Sequence, residues 1–319
     1  MGEPRGGDAI AAGRLGDGIL RGSVTASAWL ITAIFVGVTA FLSMRAWPAL
    51  TTPEYRIRTV GTGEMVSLLA AIAPQIFGTL LGSLIALVLA VPLSVGVALF
   101  ITHYAPTRMA APLGYLIDLL AAVPSVIYGL WGAMWLTPRM VPLYQWFADR
   151  IAPLGLMPVS VSATGRTMAS VSIVLAIMIV PIITAVAREV FAQTPRLNEE
   201  AAIALGATKW EVMRMAVLPL GRSGIVSASM LGLGRALGET MAVVMILSVG
   251  SSFSWDIFSA GQHSTIASNI ALQFPESTGL DSSALMCAGL ALFAITLVVN
   301  MVARTIAARH VSRLGKRAA

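Results

Sequence analysis

The chain has 319 residues, 57% of them hydrophobic and only 11% charged, with mean hydropathy +0.83. Soluble domains carry about 25% charged residues, so a water-soluble globular protein is excluded and a polytopic membrane protein is expected. The lone Cys287 excludes an internal disulfide or thiolate cluster, the scattered His103, His263 and His310 show no metal-ligand spacing, and the net charge of +6 lies beside apolar spans, where membrane topology rather than nucleic acid demands it.

Residues 1–23 are polar and glycine-rich, with no apolar segment or small-residue cleavage site of a signal peptide, and read as a disordered cytoplasmic tail. Apolar runs long enough for a hydrocarbon core of about 30 Å follow at Val24–Met44, Ile76–Ile101, Leu113–Leu136, Met168–Ala187, Ile225–Val249 and Ser283–Ala303. The expected fold is all-α with six transmembrane helices. Pro92, Pro124 and Pro181 are expected to kink the second, third and fourth.

Polar groups inside these runs are candidates for a path through the bundle: Thr79 and Ser83 in the second, Asp118, Ser125 and Tyr128 in the third. For the hydroxyls the plain alternative is a bond back to their own helix; for Asp118 it is an interfacial or paired carboxylate. Tyr55, Trp135, Tyr144, Trp146 and Trp255 read as interfacial anchors, and Val141–Ala152 as a short helix on the outer surface.

Between the fourth and fifth spans lies a long loop, residues 190–222. Asn198 is a good N-cap, followed by Glu199 and Glu200 in the first turn, where the helix dipole favours them. Gly206 permits a turn. Trp210, Met213, Met215 and Val217 are expected to form the apolar face of a second short helix, ended by Pro219. Two readings stand: an amphipathic helix on the membrane surface, or a rigid element that plugs into a cytoplasmic partner.

The fifth run holds Arg235 and Glu239. At about 1.5 Å per residue they lie roughly 15 and 21 Å from its start, near the bilayer centre. A charge there costs roughly 2.5–3.5 kcal/mol even on lenient scales, so these residues are expected to face a bundle interior or a wet path. The i, i+4 spacing places them on one helix face. They form either a structural ion pair or a site for a charged substrate. A guanidinium offers a fork of donors to oxyanion oxygens, and a carboxylate accepts from a protonated phosphate while repelling sulfate. Gly232, Gly234 and Gly238 allow close helix packing.

With the N-terminus inside, fourteen lysines and arginines fall on the cytoplasmic side and six outside, with Arg235 in the membrane. Both termini are therefore expected to be cytoplasmic. Only Lys209 and Lys316 are lysines, and neither sits in a G-x-x-x-x-G-K-[ST] loop, so the chain has no such cradle for nucleotide phosphates.

Glu200-Ala201-Ala202, three residues, Gly206, nine residues and then Ala216-Val217-Leu218-Pro219 resembles the EAA signature of ABC-importer permeases, with Ala216 where isoleucine is usual. Three further stretches, LLAAVPSVIYGLWG from Leu119, IMIVPIITAVAREVFAQTP from Ile177 and LGLGRALGETMAV from Leu231, resemble the PstC-type permeases of phosphate importers. The resemblance covers roughly Pro74 to Arg304. It implies a type I ABC-importer permease fold in the bacterial inner membrane. It further implies a sister permease of the PstA type, two ATP-binding subunits of the PstB type and an external phosphate-binding protein of the PstS type. The loop with Glu200, Ala201, Ala202, Gly206, Leu218 and Pro219 would dock into an ATP-binding subunit. Arg235, Glu239, Ser125, Tyr128 and Asp118 would line the substrate path; a carboxylate at position 118 fits the family pattern. No cofactor is expected, and ATP hydrolysis would belong to a separate subunit. A permease for molybdate or sulfate, and an ion-coupled secondary transporter, are the competing readings. An intramembrane enzyme is disfavoured because the spans carry no Ser/His/Asp or zinc-ligand set.

Overall fold

The computed structural model describes residues 6–52, 55–59, 63–151 and 160–315. The first helix, α1 (Gly6–Thr51), is far longer than the predicted span. The disordered tail does not hold from Gly6 onward: no proline interrupts residues 6–23, and a helix nucleated in the apolar run propagates at one bond per residue. Residues 1–5 lie outside the described residues. A small antiparallel hairpin, β1 (Arg56–Arg58) with β2 (Met65–Ser67), pairs Ile57 with Val66 and enters α2 (Leu68–Leu99). The last turn of α2 widens into a π-helix over Phe100–Tyr104.

The third predicted span, Leu113–Leu136, is not one helix. It is split between α3 (Thr107–Ala121) and α4 (Ser125–Trp131), with an 88° bend between them. The cause is local: Pro124 disfavours the α conformation at Val123, and Pro124 itself is extended, with φ −59° and ψ 139°. Beyond the bend, α4 runs through a π turn at Gly132–Leu136 into α5 (Thr137–Ile151). The surface helix expected at Val141–Ala152 is the end of this long helix rather than a separate element; residue 152 lies outside the described residues. Tyr144 is buried and hydrogen-bonds Ser170 Oγ at 2.8 Å, so it is not an interfacial anchor. Trp135, Trp146 and Trp255 are exposed.

The central helix is α6 (Met168–Ala192), two-thirds buried along its apolar stretch, whereas none of the apolar stretch of α1 is fully buried. Ser94 on α2 donates to the Val180 carbonyl on α6 at 3.2 Å, an interhelical bond made where no water competes. The core there is built from Leu81, Val174, Met178, Ile179, Ile183 and Ile246. Because lipid is as apolar as leucine, close approach rather than burial alone fastens such helices. A Cβ at Gly232 would come within 2.8 Å of Ile183, and one at Gly129 within 2.7 Å of the Ala242 Cα.

After α7 (Arg196–Ala204) comes α8 (Lys209–Val212), which continues through a π turn at Met213–Val217 into α9 (Leu218–Gly238). Pro219 therefore does not end a short helix. The π turn directly before it relieves a residue that has no N–H and whose ring crowds the carbonyl four positions back. The fifth predicted span is also broken: α9 ends at Gly238, and α10 (Met241–Ile246) begins after two non-helical residues. Residues 247–265 form a loop, followed by α11 (Ile266–Gln273) and α12 (Leu280–Gly315). Tyr55 donates to the Asp281 carboxylate, fastening the hairpin to the start of α12. Five helices are long and apolar enough to cross a membrane, or six if the bent α3–α5 unit is counted as one span.

Candidate functional site

Arg235 lies in the last turn of α9, half-buried, and its Nε is buried without a hydrogen-bond partner. It opens into a groove of about 1380 Å³ between α1, α9 and α12, whose lining includes Phe35, Gly234, Gly238, Phe293, Asn300 and Arg304. A Cβ at Gly234 or Gly238 would meet nothing within 4 Å, so these two glycines leave room in the groove, and only Gly232 serves close packing.

The one-face geometry expected of Arg235 and Glu239 does not form. Glu239 is extended, with φ −68° and ψ 123°, because the helix stops one residue earlier. Its side chain reaches forward and Oε1 accepts the Ala242 N–H at 3.2 Å, so a buried carboxyl group caps the N-terminus of α10. Among the described residues the ion pairs are His103–Glu199 and Arg188–Asp118. Arg235 has no carboxylate partner within that set.

Two further predicted residues stand at the bend between α3 and α4. Ser125 is the first helical residue after Pro124 and is half-buried. Tyr128, one turn on, donates its hydroxyl to the Leu120 carbonyl at 3.0 Å, stapling the elbow. Asp118 is engaged elsewhere: Arg188 Nη2 on α6 donates to both of its oxygens at 3.1 Å. Thr79 and Ser83 are buried and structural. Thr79 Oγ1 accepts the Ile266 N–H at 3.0 Å, starting α11, and donates to Gln75 O, while Ser83 donates back to Thr79 O.

In the loop, α7 starts at Arg196 with Pro195 as its cap, so Asn198 stands inside the first turn and not at the N-cap. The helix ends in a Schellman turn: Ala207 N–H bonds Ala202 O at 3.1 Å and Gly206 N–H bonds Ile203 O at 2.9 Å, with Gly206 at φ +85°. Thr208 and Glu211 then form a capping box for α8. The Thr208 backbone N–H and then its hydroxyl hold the Glu211 carboxyl below the usual range. Glu200 and Ala201 are exposed, and Ala202 half-buried. Ala201, Ala202, Gly206 and Pro219 line a hollow of about 720 Å³, while Leu218 packs against the Phe191–Val217 cluster beneath. The expected apolar face divides: Met213 and Val217 are buried, but Trp210 and Met215 are exposed.

Three contributors carry no local signal in the sequence. Arg188 and His103 find their partners 70 and 96 positions away. Arg166 donates from Nε to Ile246 O at 3.3 Å and from Nη2 to Met245 O at 3.2 Å, closing the C-terminus of α10. Among the described residues no group of His, Cys, Asp and Glu is arranged to hold a metal.

A six-span helical bundle with a rigid helix–turn–helix between its fourth and fifth spans, and an arginine on the fifth, defines a membrane transport subunit. Residues 90–316 match the model of the binding-protein-dependent transport system inner membrane component, and the chain belongs to that family. It is 47% identical over 298 residues to the phosphate transport system permease protein PstC 2 of Mycobacterium tuberculosis, covering 91% of this chain and 90% of that one. It is 44% identical over 252 residues to the PstC permease of Pasteurella multocida, covering 77% of each. Among solved structures, a bacterial ABC transporter involved in the import of the acidic polysaccharide alginate matches with TM-score 0.58 at 15% identity, over 93% of this chain and 99% of that one. The MetNI methionine ABC transporter, in an inward-facing conformation, matches with TM-score 0.54 at 13% identity over 75% and 95%. These two likenesses establish the type I importer permease fold. The chain is thus a transport permease subunit and not an enzyme.

Proposed function

We propose that the chain is the permease subunit of an ATP-driven importer of inorganic phosphate, and that the anion passes the Arg235 guanidinium. The observation that carries this reading is an arginine without a carboxylate partner, open to a groove within the bundle. Its fork of donors matches phosphate oxygens, and the Ser125 hydroxyl on α4 would be a further donor along the path. Glu239 repels dianions that lack a proton and accepts from one that keeps it. The names of the most similar relatives support phosphate as the cargo. The Glu200–Pro219 loop would seat on an ATP-binding subunit of the PstB type. A PstA-type sister would complete the path, and a PstS-type protein would deliver phosphate from outside. Both termini would be cytoplasmic.

Arg235→Gln should abolish phosphate uptake in vesicles carrying the assembled transporter, with assembly intact by co-purification. Normal uptake by that variant would remove Arg235 from the path. In the same vesicles, excess sulfate or molybdate should not compete; competition at similar concentrations would favour the broader oxyanion reading.

A further inference from the structure

The helix α3 is weakly embedded. Of its fifteen residues only Gly114 is buried, and what lies over Gly114 is Arg188, whose Nη1 would be 2.0 Å from a Cβ at that position. The guanidinium lies across the bare backbone and reaches Asp118 on the next turn. These side chains are 26% and 49% exposed, so the pair adds little to stability. Its geometry is nevertheless built: a long arm, a glycine clearing its way, and one nitrogen shared between both carboxylate oxygens.

The second ion pair continues the same line. His103 Nε2, in the π turn that joins α2 to α3, lies 3.5 Å from Glu199 on α7. Thr102 Oγ1 donates to Ala98 O at 2.9 Å and lies 2.6 Å from His103 Nδ1, so both ring nitrogens are engaged. The helix α7 has no fully buried residue of its own. At its other end α3 turns through the Tyr128–Leu120 staple into α4, which bears on α10 where Gly129 meets Ala242, the residue capped by Glu239.

We propose that α3 is a strut that carries movement of the α7–α8 loop to the Arg235 site, with Asp118–Arg188 as its clasp on α6 and His103–Glu199 as its link to α7. The four residues are positioning residues: none touches the passing anion. The inference rests on the transport reading above. If that reading fails, wild-type vesicles take up no phosphate. If only the strut fails, wild type transports and the clasp variants match it.

The test measures phosphate uptake and ATP hydrolysis together in vesicles holding the complete transporter. Asp118→Asn, Arg188→Gln and Glu199→Gln should leave hydrolysis running but raise the ATP consumed per phosphate moved by at least about fivefold, the low end of typical coupling energies. The exchange Asp118→Arg with Arg188→Asp should restore the ratio, and Leu116→Ala, an exposed position on the same helix, should not change it. A wild-type ratio in the single variants would overturn the proposal. So would a proportional fall of uptake and hydrolysis that the exchange does not rescue, since that marks a merely structural role. Should a single variant fail to assemble, the exchanged pair decides alone: a restored ratio supports the strut, and a raised ratio defeats it.

Discussion

Glu239 serves two tasks that one substitution can separate. Its Oε1 caps α10 through the Ala242 N–H, and its charge stands at the broken end of α9. Glutamine keeps the acceptor and loses the charge; alanine loses both. Glu239→Gln should therefore retain the thermal midpoint of the assembled complex while slowing phosphate uptake about tenfold, in line with a charged hydrogen bond of about 1.5–3 kcal/mol. Glu239→Ala should lower the midpoint as well, by the loss of a cap of about 1 kcal/mol. Unimpaired uptake in Glu239→Gln would reduce this residue to a cap. Arg235 stands out in the sequence because a cation is costly at that depth and demands an explanation. The partner drawn for it was wrong in geometry, since i, i+4 spacing implies a shared face only while the helix lasts.

At the scale of elements, hydropathy located all six spans, while their continuity depended on features it does not register. The bend at residues 122–124 and the break at Glu239 are set by a proline in one case and by an extended residue that caps the next helix in the other. The π turn before Pro219 carried α8 into α9 where a proline rule predicted a stop. In the loop, Gly206 was readable as a turn, and its left-handed φ of +85° accounts for it. Nothing in this chain would crowd a Cβ there, so the cost of substitution is conformational. Gly206→Ala should loosen the α7–α8 turn by about 1 kcal/mol or more, and Gly206→Asn by less, because asparagine visits the left-handed region more readily. Hydrogen exchange at the Gly206 and Ala207 amides, which close the Schellman turn, reads this directly. Equal protection in all three chains would mean that the turn is held from outside.

For the whole molecule, the two ends of the bundle differ in build. At one end, residues 160–167 and 248–264 are knitted together: Ser162 N–H bonds Phe258 O at 3.0 Å, Ser248 N–H bonds Arg166 O at 3.3 Å, and Asp256 accepts the Ser160 N–H at 3.0 Å. At the other, the α7–α8 loop presents Leu205, Trp210 and Met215 to its surroundings. The excess of arginine and lysine at the second end is the ground for proposing that it faces the cytoplasm, because cationic loops resist translocation. Single cysteines test this in a Cys287→Ser background, Cys287 being the native thiol and half-buried in α12. Thr164→Cys, exposed in the knitted segment, should react with a membrane-impermeant maleimide added to intact cells. Lys209→Cys, exposed at the start of α8, should react only after permeabilisation. The opposite pattern would turn the bundle over. It would put the coupling loop beyond reach of any cytoplasmic ATPase, and with it the strut, the Arg235 path and the direction of transport would have to be reassigned together.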